Sequence, residues 1–220
     1  MCCDAVAPDG GRLDLTLGVS DGWRAAQWDI VEADLRVTAV NAYQVHGTRV
    51  LTVDSASDRR AIARERADVL VTTDRRLAVA VRVADCVPVL FADPDAGVVA
   101  AAHAGRVGLG AGVLPATVAR MAELGAGHIT AWIGPHICGE CYEVPAALQA
   151  EYGRVHPAAL ASTSWGTPSL DLGAAAAVQL AALGCTVVRV DPCTRTTPTL
   201  HSYRRDGAAS GRQAALAWLP

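Results

Sequence analysis

No stretch of the chain approaches 18 consecutive apolar residues, so a membrane-crossing helix is not expected. The opening Met1-Cys2-Cys3-Asp4 has neither the basic start nor the apolar core of an export signal. A basic excess is missing as well. The formal net charge is −3, which leaves no cationic stripe for nucleic acid. The clustered cations are confined to Arg59-Arg60, Arg75-Arg76 and Arg204-Arg205, and arginine is the better planar clamp for phosphate or carboxylate. Seven cysteines is an odd number, which argues against a closed disulfide framework and fits reduced thiols in the cytoplasm.

What is present is globular: 51% hydrophobic and 19% charged residues in a chain of 220. A chain of this length buries roughly 70% of its unfolded surface and needs no covalent staple. There is no internal repeat and no linker rich in proline, glycine or serine, so residues 1–220 are expected to form a single domain. Apolar runs rich in Val, Ile and Ala predict strands over 35–41, 49–53, 77–83, 87–92, 98–102, 129–133 and 186–191. Helices are expected over 58–65, 113–124, 145–152 and 172–183, with Gly125 and Gly184 as the stops of two of them. The interleaving gives an α/β layered domain with a mixed β-sheet flanked by helices. A polar turn segment, 204–212, precedes a short apolar closing element over 214–219.

Three segments place a metal-binding side chain at the end of an apolar run: Gln44-Val45-His46-Gly47, Ala84-Asp85-Cys86-Val87-Pro88 and Ala102-His103-Ala104-Gly105. Two imidazoles and a thiolate form a three-ligand zinc set with a fourth position open for water or substrate. The turn signal Asp93-Pro94-Asp95-Ala96-Gly97 makes the flanking runs a hairpin, which sets Cys86 beside His103. Taken singly, each residue has a blander reading. A lone histidine beside an apolar run is more often a hydrogen-bonded structural residue, and a lone cysteine a small hydrophobe.

Asp85 invites a general-base role, but alternation along a strand turns it away if Cys86 faces the site. Cys138-Gly139-Glu140-Cys141 has redox or zinc spacing. A second CxxC pair is missing, and Pro135 and Gly139 indicate a loop, not the helix start a thioredoxin-like motif requires. The segment Ser202-Tyr203-Arg204-Arg205-Asp206-Gly207 reads equally as an anion clamp or a solvated turn. His128, His136 and His156 carry no pattern of their own.

Together the segments QVHGTRV (44–50), ADVLVTT (67–73), VADCVPVLFAD (83–93), GVVAAAHAG (97–105), IGPHICGECYEV (133–144), and CT with HSYRRDGAASGR (193–212) resemble the laccase-domain family. That family is also called polyphenol-oxidase or peptidoglycan-editing-factor-like. The resemblance implies an α/β sandwich like the catalytic domain of cytotoxic necrotizing factor. It implies His46, Cys86 and His103 as metal ligands and catalytic residues, with zinc as the metal and copper as an alternative. It further implies phosphorolysis of adenosine, inosine, guanosine or methylthioadenosine, and deamination of adenosine. The expected partners are purine nucleosides and phosphate, with no nucleic acid and no membrane, and a monomer is the default.

Arg106, Arg204 and Arg205 are the expected phosphate-binding residues. Arg106 stands in for a family arginine, because the usual HAGWRG reads His103-Ala104-Gly105-Arg106-Val107-Gly108 here, with no tryptophan. The family asparagine in the helix after Asp171-Leu172 is replaced by Ala174–Ala177, and the usual Arg-Gly-Gly-Val-Ser segment near the N-terminus is not evident.

Counting constrains the chemistry. A four-copper oxidase needs more histidines than six and several His-x-His pairs, of which this chain has none. A zinc with two imidazoles and one thiolate lowers the pKa of its water toward neutrality. The deaminase His-x-Glu signature is missing. Three other readings remain: a Cys86 amidase with His103 as base, acting on peptidoglycan precursors, a copper-binding polyphenol oxidase with a single copper in the trio, and a non-enzymatic scaffold in which zinc pins the hairpin.

Overall fold

A computed structural model describes residues 13–16 and 22–220. The Met1-Cys2-Cys3-Asp4 reading lies outside the described residues. The chain opens with α1 (Gly22–Leu35), β1 (Thr38–Val40), β2 (Val50–Thr52) and α2 (Arg59–Ile62). It continues with β3 (Val69–Thr72), β4 (Leu77–Val83), β5 (Val87–Asp93) and β6 (Val98–Ala104). Then come α3 (Arg106–Ala111), α4 (Val113–Glu123), β7 (Thr130–Ile133) and α5 (Ala146–Val155). The last part holds β8 (Leu160–Ser162), β9 (Pro168–Leu170), α6 (Leu172–Ala182), β10 (Thr186–Arg189), α7 (Tyr203–Asp206) and β11 (Gln213–Ala217).

The strands form a six-stranded mixed sheet, β10-β7-β5-β6-β3-β2, a three-stranded sheet, β1-β4-β11, and a two-stranded ribbon, β8-β9. The sequence led us to expect one sheet, and the structure stacks two. Alternation along the central strands explains why. Leu70, Leu90, Val99 and Ala101 of the larger sheet share a core with Val40, Val79, Val81 and Ala215 of the smaller one. Their neighbours Val71, Val89, Phe91, Ala100 and Ala102 point the other way, onto Leu109, Leu114 and Met121 and the buried face of α6. The outer face of the small sheet, Ala78, Ala80 and Leu216, is covered by Trp28 and Val31 of α1. The order is therefore helix, sheet, sheet, helix. Strands buried on both faces must be apolar at every position, which is why their sequences lack polar alternation.

The hairpin forms as expected: β5 and β6 pair antiparallel, with Val87 opposite Ala104 and Pro88 opposite His103. Asp93 accepts backbone N–H bonds from Ala96, Gly127 and His128, tying the hairpin turn to the approach to β7. Those donors hold its carboxyl below the ordinary carboxylate value. Gly125 and Gly184 take positive φ, 97° and 80°, just past α4 and α6, as stops should.

The strand expected over 35–41 is shorter and begins at Thr38, because Leu35 closes a helix instead. Arg36 itself adopts φ 55° and terminates α1. Without a glycine there, the stop carries no sequence signal. The helix expected over 58–65 contracts to one turn capped by the Asp58 side chain on Arg60 N. Strand β3, unmarked by the periodicity, is buried at all four positions between β2 and β6.

Candidate active site and metal centre

His46 sits in the loop between β1 and β2 at φ 60°, a left-handed conformation that the surroundings must enforce. Asp68 enforces it. Its carboxylate accepts the backbone N–H of Val45 at 3.2 Å, of His46 at 2.8 Å and of Gly47 at 2.7 Å. One turn earlier, the Gln44 amide pairs with both backbone groups of Arg82, each at 2.8 Å, and so fastens the loop to β4. Asp68 lies in a segment singled out from the sequence, but it was given no role there.

His103 is buried near the end of β6, and its Nδ1 lies 2.8 Å from Asp68 Oδ1. The same Asp68 therefore holds one imidazole directly and the other through its backbone. Cys86, half-buried, follows the bend between β4 and β5, with Sγ 3.6 Å from His46 Nε2. The two imidazole rings meet edge to face at 4.7 Å between centroids. One ligand atom from each of His46, Cys86 and His103 lies within 4.8 Å of the others.

The electrostatics follow from this packing. Burial opposes a charged Cys86, but the neighbouring His103 charge and hydrogen bonds from both histidines outweigh it and bring the thiol down to about 6. Burial likewise opposes a charged His103, and the Cys86 thiolate and the Asp68 hydrogen bond overcome it, raising the imidazole to about 9.

The donor set fits a soft or borderline divalent ion. Asp68 fixes the His103 ring and leaves Nε2 free to bind, the usual carboxylate support behind a metal-binding imidazole. Gly105 leaves room for the cluster. A Cβ there would stand 2.5 Å from His46 Cδ2 and 3.1 Å from Cys86 Sγ. At Gly108 a Cβ would come within 2.8 Å of Gly47 O, so α3 docks directly on the His46 loop.

Beside the trio opens a cavity of about 550 Å³, within the range of small-molecule sites. Its wall includes Tyr142, Tyr203, Arg82, Arg204 and Arg212. Arg204 lies over the Tyr142 ring at 5.1 Å and donates from Nη1 to Glu143 O. Arg82 is buried enough to bring its guanidinium down to about 10, with the Arg212 charge as the second cause. Its Nε has no hydrogen-bond partner among the described residues. Two like charges converging on this wall form an anion-seeking arrangement that the sequence reading missed, because Arg82 lies inside a strand and Arg212 at the edge of a turn.

The other expected arginines are placed differently. Arg205 does not line this cavity. Its Nη1 donates to the carbonyls of Thr194, Arg195 and Thr197, its Nη2 to that of Leu200, and it pairs with Asp206. Arg106 opens α3 beside Tyr142 and Tyr152 and also stays out of the cavity wall. Asp85 lies in the bend between β4 and β5, where strand alternation does not apply, and it lines the cavity with its carboxylate engaged. Its carboxylate accepts from Thr194 Oγ1 and from Arg204 N, both at 2.6 Å.

Residues 13–220 match the family model described as multi-copper polyphenol oxidoreductase laccase. The chain belongs to that family. A Streptomyces coelicolor protein named purine nucleoside phosphorylase is 52% identical over 80% of this chain and 73% of its own length. One from Mycobacterium tuberculosis with the same name is 48% identical over 98% of this chain and 80% of its own length. A protein named adenosine deaminase RL5, from an unknown prokaryotic organism, is 33% identical over 96% of this chain and 83% of its own length. Among solved structures, YlmD of Geobacillus stearothermophilus is similar with a TM-score of 0.82, at 30% identity over 94% of this chain and 84% of that one. A Neisseria meningitidis protein of the DUF152 family gives 0.80, at 31% identity over all of this chain and 89% of that one.

The laccase family label does not carry a four-copper mechanism into this chain. All six histidines are among the described residues, and only His46 and His103 join a group able to hold a metal. His136 bonds to Gly134 O and His201 to Leu13 O, far from any such role.

Proposed function

We propose that the protein is a zinc-dependent purine nucleoside phosphorylase acting on adenosine, inosine, guanosine or methylthioadenosine. The observation that carries this reading is one cavity that joins the His46–Cys86–His103 trio to Arg82, Arg204 and Arg212. The names of the relatives at 48–52% identity support the same class. When bound, zinc would supply a Lewis acid with one open position, held by His46, Cys86 and His103.

The chain's own residues do the rest. Arg204 and Arg212 hold inorganic phosphate, and the buried Arg82 guanidinium adds its charge behind them. Tyr142 and Tyr203, whose rings lie against Arg204 and Arg212, complete the wall beside the purine. An oxygen of hydrogen phosphate attacks the ribose anomeric carbon while the bond to the purine nitrogen breaks; the base leaves with the proton that the phosphate gives up, and ribose 1-phosphate remains. Positive charge builds on the ribose as the bond breaks, and the phosphate held by the arginines lies against it. Asp68 keeps His103 and the His46 loop in register throughout.

Deamination of adenosine is the second reading, favoured by the relative named adenosine deaminase. It needs water and no phosphate. Product analysis on adenosine therefore separates the two, together with metal content of the purified protein. Adenine and ribose 1-phosphate formed only with phosphate support phosphorolysis. Inosine formed without phosphate replaces it with deamination, and neither product with metal bound overturns both.

A further inference from the structure

Cys138 and Cys141 do not join Cys86. They meet Cys193, 55 residues downstream, and the three sulfurs lie within 4.8 Å of one another. The CxxC segment turns tightly there. Cys138 O accepts the N–H of both Cys141 and Tyr142, and Cys138 N donates to Cys193 Sγ at 3.4 Å. Packing holds the turn in place. A Cβ on Gly139 would strike Asp171 Cβ at 2.9 Å and Ala161 Cβ at 3.0 Å, while Ser169 Oγ bonds Gly139 O. The partner segment is pinned alongside by Thr194 N to His136 O, 2.9 Å. All three cysteines are unpaired thiols.

We propose that Cys138, Cys141 and Cys193 form a second metal site, a three-thiolate site for a thiophilic ion, zinc(II) or copper(I). Thiolate-only donors select these ions over hard cations. Among the described residues no fourth ligand joins the three. Copper(I) is content with three thiolates, and zinc completes its shell with an external ligand.

The site reaches the active centre through Asp85. The residue after Cys193, Thr194, bonds the Asp85 carboxylate, and the residue before Cys138, Ile137, donates its N–H to Asp85 O at 3.0 Å. Asp85 sits at φ 86°, and the next residue is Cys86. An ion closing the thiolate cluster clamps both arms that grip this bend, and so holds the Cys86 thiol in place. The thiolate site is independent of the nucleoside reaction.

The test is an anaerobic metal titration of the reduced full-length chain carrying Cys86→Ala, which removes the thiolate from the first site. Zinc(II) and copper(I) are titrated separately, and cobalt(II) serves as the spectroscopic probe. We expect one equivalent of zinc or of copper(I) bound to thiolate, with a sulfur-to-cobalt charge-transfer band. Adding Cys193→Ser should abolish both, and Cys141→Ser serves as a second variant if that protein does not fold. A folded Cys86→Ala chain that binds neither ion, or a band that survives Cys193→Ser and Cys141→Ser, overturns the proposal. So does a disulfide among the three in freshly purified protein kept under reductant. Absence of nucleoside turnover in the chain with Cys86 intact, alongside this stoichiometry, would defeat the proposed reaction and leave the second site standing.

Discussion

Asp68 Oδ1 lies 2.8 Å from His103 Nδ1 and equally 2.8 Å from the backbone N of His46, so one carboxylate oxygen positions two metal-binding residues on different elements. Asp68→Asn keeps the shape, removes the charge and presents an N–H in place of one acceptor. We expect metal affinity to fall about 10–100-fold, the usual effect of losing such support, while the circular dichroism spectrum stays unchanged. Chelator competition measures it. Unchanged affinity would mean that Asp68 only shapes the loop.

Gly105 tests whether the cluster's geometry matters separately from its chemistry. Gly105→Ala leaves all three ligands in place but puts a methyl 2.5 Å from His46 Cδ2. The ring has to move, and a displacement of about 1 Å in a reacting site costs on the order of 10²-fold in rate. Gly127→Ala is the control, since a Cβ there meets nothing within 4 Å. Equal turnover in both variants would detach His46 from the reaction.

These two residues also show where sequence reading stops. The hairpin that joins Cys86 to His103 was legible because its turn signal and apolar runs are local. Asp68 was not, because a carboxylate at the mouth of a strand looks the same whether it faces solvent or clamps a loop 22 residues away. The Cys138 and Cys141 pair looked incomplete for the same reason, as its third member arrives 55 residues later through tertiary packing. Arg204-Arg205 read equally as an anion clamp or a solvated turn, and the short helix α7 turns only Arg204 of the two toward the cavity.

That asymmetry predicts different phenotypes for adjacent residues. Arg204→Met should raise KM for phosphate at least about 10-fold, equivalent to ~1.4 kcal/mol, with little loss of folding stability. Arg205→Met should leave KM for phosphate nearly unchanged. It releases four carbonyls from a charged donor and should cost about 2 kcal/mol of stability, read from urea midpoints. Arg82→Met should resemble Arg204→Met in KM. If Arg205→Met alone raised KM, the assignment of the phosphate cradle would be wrong.

The Cys86 and His103 pair sets the pH behaviour of the metal-free protein. With the thiol near 6 and the imidazole near 9, the thiolate–imidazolium form occupies the interval between them. The signs follow from linkage. A depressed thiol gives stability above its unfolded value and loses it as pH falls through about 6. A raised imidazole gives stability in full below its unfolded value and loses it as pH rises through about 9. Alkylation of Cys86 by iodoacetamide, followed by peptide mapping, should therefore rise with a midpoint near 6, against about 8.5 for an ordinary thiol. His103→Ala should move that midpoint up, because it removes the principal charge that lowers it. Zinc added in excess of both sites should suppress the reaction near neutral pH, since a coordinated thiolate is not a free nucleophile. Alkylation that continued undiminished with zinc bound would place Cys86 outside the metal's shell, and the case for a thiol-nucleophile amidase acting through Cys86 and His103 would then become the stronger one.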